Sequence, residues 1–230
     1  MTPLVLLPGM MCDARLFLPQ IAAFSAIRTV ISAEIWRHDS IGALAEAVLA
    51  DAPARFALAG LSMGGIVAME ILRRAPERVA RIALMDTNPL AETETVKARR
   101  APQMVAVREG RLAEVMRDEM KPNYLSHGAQ RAEVLSLCME MALDLGPEVF
   151  VTQSQALMDR PDQTGTLRAA TLPALVLCGR DDTLCPIARH ELMAGLIPGA
   201  QLEIIDGAGH LPTLEQPART NEALARWLED

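Results

Sequence analysis

Short apolar runs closed by turn residues recur along the first part of the chain. Leu4–Leu7 stops at Pro8-Gly9, and Thr29–Ser32 gives way to polar residues. Phe56–Ala59 ends at Gly60, and Ile82–Met85 ends at Asp86-Thr87-Asn88-Pro89. Runs this short, apolar on both faces, predict central strands of a parallel sheet, because helices cover both sides and no face meets water. Between them the period changes to three or four residues. Ile41–Leu49 repeats at helical spacing behind Asp39 or Ser40 as N-cap, and Gly65–Leu72 is apolar almost all round. The first pattern is an amphipathic helix, the second a helix packed deep against a sheet. Strand and helix in alternation imply right-handed βαβ units and an open, mostly parallel sheet.

From Leu90 to Thr166 no strand-like run appears. Amphipathic stretches such as Leu112–Arg117 and Val134–Met139 are punctuated by Gly110, Gly128, Gly146-Pro147 and Pro161. Alternation then returns with strands at Ala174–Cys178 and Leu202–Ile205 and helices at Pro186–Leu196 and Glu215–Leu228. The reading is an α/β core of six strands flanked by helices, residues 1–89 and 167–230, interrupted by a helical insertion at 90–166.

Composition narrows the function. The 230 residues suit one α/β domain with a full core. A net charge of −7 argues against a nucleic-acid partner, because phosphate binding needs a basic face. With 13 methionines and 3% aromatics, core and pocket are built from Met and aliphatic side chains. Cys12, Cys138, Cys178 and Cys185 show no CxxC pairing and no metal-like spacing to histidine, so free thiols and a cytoplasmic location are expected. Met1-Thr2-Pro3 offers no basic n-region, Leu4–Leu7 is too short for a signal peptide, and no stretch is long enough to span a membrane. No metal or cofactor motif is present; monomer or homodimer is the expected state.

Gly60-Leu61-Ser62-Met63-Gly64 carries the chemistry. It matches G-x-S-x-G between a predicted strand and a predicted helix, the context this motif requires. A strand turning sharply into a helix crowds its own backbone, so the positions two before and two after the serine have no room for a Cβ. The serine takes up a strained conformation that lifts its Oγ clear. A serine hydroxyl needs a base, and the base needs a carboxylate to orient it. Of the four histidines, His38, His127 and His190 fall in surface or helix-packing contexts. His210 leaves the last strand in Asp206-Gly207-Ala208-Gly209-His210, at the same carboxyl edge as Ser62. For the carboxylate, Asp181 and Asp182 leave the penultimate strand, and Asp86 ends the fourth; the last also reads as a turn-forming residue before Asn88-Pro89.

The order Ser, Asp, His on strand ends, with the elbow motif, resembles the α/β-hydrolase superfamily, and within it the small capped esterase-like branch. Leu4-Val5-Leu6-Leu7-Pro8-Gly9-Met10 is similar to the family's first strand and His-Gly-X loop. Gly179–Pro186 is similar to its G-x-x-D-x-x-x-P acid segment, and Gly207–Pro212 to its G-x-G-H segment. The resemblance implies Asp182 as the catalytic acid and an oxyanion hole made by the backbone amides of Met10 and Met63. Pro8 departs from the pattern, standing where the family often has His. The sheet is expected to start at the Leu4 strand, without the preceding hairpin that many members of that superfamily carry.

The expected activity is hydrolysis of a small carboxylic ester, thioester or lactone through an acyl-enzyme. A C–C bond hydrolase or lyase using the same triad, and a ligand-binding receptor on a hydrolase scaffold, are the alternatives. For the lyase route the resemblance implies a pocket lysine, as in the superfamily's hydroxynitrile lyases, and Lys97 and Lys121, the only lysines, lie in the insertion. Arg99, Arg100, Arg108, Arg111, Arg117 and Lys121 make the insertion locally basic. That pattern fits either an anionic substrate group or solvated helix faces balanced by Glu109, Glu114, Asp118 and Glu119.

Overall fold

The structure is a computed structural model that describes residues 1–128 and 130–229. Its strands are β1 (Leu4–Leu7), β2 (Val30–Ser32), β3 (Phe56–Leu61), β4 (Val79–Met85), β5 (Ala174–Gly179) and β6 (Gln201–Ile205). All pair in parallel, in the order β2-β1-β3-β4-β5-β6. The chain starts at β1, steps outward to β2, and returns past β1 to build the rest of the sheet. Connections therefore diverge from the β1–β3 boundary, where open α/β sheets bind ligands beyond the carboxyl ends of their strands.

The helices are α1 (Leu18–Phe24), α2 (Ile41–Asp51), α3 (Met63–Arg74), α4 (Glu94–Arg108), α5 (Leu112–Glu114), α6 (Arg131–Met158), α7 (Thr164–Arg168), α8 (Ile187–Leu196), α9 (Pro212–Glu215) and α10 (Pro217–Leu228). Alternate residues of the central strands feed two apolar layers. Val5, Leu58 and Leu84 pack toward α2, α3 and α8, whereas Leu6, Ala59 and Met85 pack toward α1 and α10. This is why β1, β3 and β5 are buried along their whole length and read as unbroken apolar runs.

Two expectations need correction. The Thr29–Ser32 run is no central strand: it is the edge strand β2, three residues long and only half-buried. The helix expected from Glu215 opens at Pro217 instead, and Glu215 closes the separate short helix α9. Pro217 has no N–H with which to extend the ladder of α9, and its fixed φ suits the first turn of α10. At the sheet edge opposite β2, β6 leaves Gln201 and Leu202 exposed.

Between β4 and β5 the regular structure of the described residues is helical throughout. In α6 the chain bends where Gly146 adopts φ 84 ahead of Pro147. Its first half adds Val134, Cys138 and Met141 to one core layer and its second half adds Phe150, Ala156 and Leu157 to the other. Among the described residues no helix is long and apolar enough to cross a membrane.

Candidate active site

Three non-glycine residues among those described have positive φ: Met11 (55°), Ser62 (55°) and Asp86 (44°). They stand just beyond β1, β3 and β4, so backbone strain is gathered at one edge of three neighbouring strands. A bond from the Ser62 N–H to the Met85 carbonyl (2.9 Å) and one from Thr87 Oγ1 to the Ser62 carbonyl (2.7 Å) hold the serine there. The flanking glycines have a steric reason. A Cβ on Gly64 would lie 2.0 Å from the Leu7 carbonyl oxygen, and one on Gly60 would lie 2.3 Å from that of Gly64. Both clashes are with backbone, which cannot swing aside as a side chain can.

His210 Nε2 lies 2.9 Å from Ser62 Oγ, and its Nδ1 lies 2.8 Å from Asp182 Oδ2. The other Asp182 oxygen accepts from the Leu184 and Cys185 amides at 2.8 and 3.0 Å. Burial pushes the Asp182 carboxyl up, but His210 and these amides outweigh it and hold the group below the usual aspartate range. Asp181 takes no part in this chain of bonds: its backbone amide donates to the Ala208 carbonyl, joining the acid loop to the histidine loop. Asp182, Cys185 and His210 form the one grouping of potential metal-ligand atoms among the described residues, all within 4.8 Å. Both Asp182 oxygens are already engaged by protein donors.

Asp86 is no turn-former; that part falls to Asn88, whose Oδ1 accepts from the Leu90 amide. Instead the fully buried Asp86 side chain accepts from the Gly179 amide (2.9 Å) through Oδ1, and no donor faces Oδ2. Its charged neighbour there is Asp182. Burial first, and the Asp182 charge second, push the Asp86 carboxyl well above the usual range, so it is the member of the pair that keeps a proton. A protonated Asp86 can donate to Asp182. His190, expected to pack on a helix face, is buried and spans two elements. The Thr87 amide donates to its Nε2 at 3.1 Å while Nδ1 faces the Pro186 carbonyl at 3.4 Å. Burial lowers its pKa to about 4, so the ring is a neutral strut.

Two supports arise from residues that sequence patterns do not single out. Glu215 Oε1 accepts from the Gly209 and Leu211 amides, and Oε2 accepts from the Ser126 amide and hydroxyl. One carboxylate thus ties the loop carrying His210 to the loop before α6; the His210 amide itself donates to the Tyr124 carbonyl at 2.7 Å. Gln153, on α6, accepts from the Met11 amide (2.8 Å) and donates to the Ile35 carbonyl (3.0 Å), pinning the loop after β1. The polar run Thr152-Gln153-Ser154-Gln155 gives no signal of that contact.

Ser62 and His210 open onto a cavity of about 500 Å³. Met10 and Met63 line it, and Met63 opens α3, where the first helical N–H groups have no intrahelical acceptor. Residues of α4, of the segment before α6, and of the end of α6 line it as well. Neither Lys97 nor Lys121 lines the cavity: Lys97 pairs with Glu94, and Lys121 is buried with Nζ 4.6 Å from the centre of the Tyr124 ring. The pocket lysine expected for the lyase alternative is not among the lining residues.

A family model described as "Alpha/beta hydrolase family" matches residues 4–223. The chain belongs to that family. Among curated proteins, the pimeloyl-[acyl-carrier protein] methyl ester esterase of Aromatoleum aromaticum is 27% identical over 202 residues, 79% of this chain and 77% of that one. The biotin biosynthesis bifunctional protein BioHC of Teredinibacter turnerae is 26% identical over 72% of this chain, which spans only 31% of that longer protein. Among solved structures, a malate-bound thermophilic esterase from Thermogutta terrifontis superposes with a TM-score of 0.89 at 29% identity, covering 99% of this chain and 89% of the other. This α/β hydrolase therefore has relatives named as esterases in both sequence and structure.

Proposed function

We propose that the chain is a serine hydrolase of carboxylic esters that works through an acyl-enzyme. The carrying observation is the unbroken chain Ser62–His210–Asp182, at 2.9 and 2.8 Å, opening onto a cavity that Met10 and Met63 line. The esterase relatives add support. In this reading His210 Nε2 takes the proton of Ser62 Oγ as the oxygen attacks the ester carbonyl. The amides of Met10 and Met63 receive the oxyanion, preorganised by the β1 loop and the start of α3. His210 returns its proton to the departing alcohol, and Asp182 stabilises the imidazolium. A water deprotonated by His210 then attacks the acyl-serine, and collapse of the second tetrahedral intermediate releases the acid and restores Ser62.

The helical segment at 90–166 acts as a cap, supplying the outer wall of the cavity and so the fit to substrate. Ser62→Ala removes the nucleophile while leaving the buried framework alone. It should lower p-nitrophenyl acetate turnover by about 10⁴-fold or more and abolish stoichiometric labelling by a fluorophosphonate. Turnover that survives in this variant would overturn the proposal.

A further inference from the structure

The basic residues of the helical segment divide once they are placed. Arg111 pairs with Glu109 and Arg117 with Asp118 on the surface, where such pairs are solvated and weak. Arg99, itself exposed, and the half-buried Arg100 line the cavity that Ser62 opens onto, and Arg160 and Arg189 join them from the end of α6 and from α8. The carboxylates lining the same cavity are Glu92 and Glu119, so four guanidinium groups face two acids. Glu119 is exposed and accepts from Gln103.

Glu92 is buried between two arginines. Arg160 grips it with both terminal nitrogens at 3.1 and 3.2 Å and also donates from Nε to the Leu90 carbonyl. Arg100 reaches the same carboxylate at 3.2 Å. One buried carboxylate thus answers two guanidinium groups, whose side chains are 8% and 13% exposed. Arg100's other terminal nitrogen meets only the Met10 sulfur, a weak acceptor at 3.7 Å, and its Nε is buried without a partner. The Arg189 backbone amide donates to the Pro186 carbonyl, but its guanidinium has no hydrogen-bond or ion-pair partner among the described residues. Burial, with the Arg100 and Arg189 charges behind it, pulls Arg160 below its usual pKa against the opposing effect of Glu92. Uncompensated positive charge inside a half-enclosed cavity is costly unless an anion completes it.

We propose that this α/β hydrolase takes esters that carry a free carboxylate, held by Arg100 and Arg189 within reach of Met10 and Ser62. The inference rests on the serine-hydrolase reading and names its substrate class. A single carboxylate suits the pair, since two guanidinium groups with spare donors can share it and the excess charge is small. Neither the elbow nor the triad requires this cluster, because neutral esters react by the same steps.

The test measures kcat/KM for matched pairs of esters on the wild-type protein: monomethyl succinate, glutarate and adipate against methyl butanoate, pentanoate and hexanoate. A second arm places the carboxylate on the alcohol, comparing acetylated glycolate with methyl acetate. The expected result is a preference of about tenfold or more for the anionic member in at least one arm, falling as ionic strength rises. The arm that shows it tells whether the acyl or the alcohol side meets the arginines. Arg189→Gln and Arg100→Gln should each reduce the anionic-to-neutral ratio by about tenfold, a quantity that general damage to the enzyme does not change. Equal or lower kcat/KM for the anionic esters in both arms would overturn the inference while neutral-ester turnover upholds the hydrolase reading. Loss of the hydrolase reading would show separately, as absent fluorophosphonate labelling of Ser62.

Discussion

Replacing Asp86 by asparagine tests how the acid end of the Ser62–His210–Asp182 hydrogen-bond chain is held. The carboxyl is fully buried, accepts from the Gly179 amide at 2.9 Å, and turns its other oxygen toward Asp182 with no donor facing it. If that oxygen carries a proton, an asparagine copies the arrangement: its carbonyl accepts from Gly179 and its NH₂ donates toward Asp182. The second amide hydrogen is the one unsatisfied addition, worth about 1 kcal/mol at most. Asparagine also tolerates the φ of 44° at this position as well as aspartate does. Alanine, by contrast, leaves the Gly179 N–H unpaired, hollows the site and is strained at positive φ. Together these cost about 3 kcal/mol.

The pH dependence carries a sign that no packing argument supplies. A carboxyl raised in the folded state binds a proton that the unfolded chain has lost, so folding takes up a proton above the unfolded aspartate pKa. Wild-type stability from this group falls by about 1.4 kcal/mol per pH unit there, until the folded carboxyl itself ionises. The Asp86→Asn variant has no such dependence. Urea denaturation of wild type, Asp86→Asn and Asp86→Ala at pH 5, 6 and 7 should show the Asn variant gaining on wild type as pH rises. Its kcat/KM on p-nitrophenyl acetate should stay within about threefold, because Asp182 keeps its donor. An Asn variant as damaged as the Ala variant, or one that loses ground with rising pH, would refute the reasoning. Either result would mean that Asp86 acts as an anion.

Two further outcomes concern His190 and Glu215. His190 is lowered to about 4 by burial, below its unfolded value of 6.5, so its contribution is intact above pH 6.5 and is lost as pH falls toward 4. Measured by urea denaturation, the stability advantage of wild type over His190→Gln should shrink by about 3 kcal/mol across that window, and a constant difference would exclude a neutral strut. Glu215→Ala strips four donors of their acceptor and frees the His210 loop. It should cost about 3 kcal/mol by chemical denaturation and lower kcat by about tenfold or more, with KM changed less; unchanged kcat in a folded variant would deny it a positioning role.

Why some of this is legible in the sequence and some is not depends on which constraints leave a pattern along the chain. Ser62 stands out because the tight elbow bars a Cβ at Gly60 and Gly64, and two glycines at fixed spacing remain as its mark. β1, β3 and β5 stand out because burial on both faces removes polar residues from a whole run. The same criterion misplaces β2, since three apolar residues at a sheet edge look like three at its centre. His210 lies 148 residues from Ser62, yet it and Asp182 each sit in a glycine-marked loop at a strand end, so resemblance to a family pattern is enough to nominate them. Asp86 is visible as a candidate, but its partner is an amide 93 residues away and its protonation depends on Asp182, which no local pattern encodes.

Glu215, Gln153, Arg160 and Arg189 mark the opposite limit. Glu215 looks like a helix-opening acid, and its role appears only when α9 brings it under Gly209 and against Ser126, 89 residues distant. The basic residues of the insertion form one set in the sequence, and the fold separates them by environment: Arg111 and Arg117 go to water, Arg100 goes to a buried carboxylate. Two other arginines matter for the cavity: Arg160 stands apart from that cluster, past the end of α6, and Arg189 lies outside the insertion, on α8. The chemistry of bond cleavage is written in short motifs because it needs strained backbone at fixed spacing. The charge that selects a substrate needs only side chains converging on one volume. Any set of distant residues can supply it, and for that reason the cavity has to be seen before a carboxylate-bearing ester can be argued.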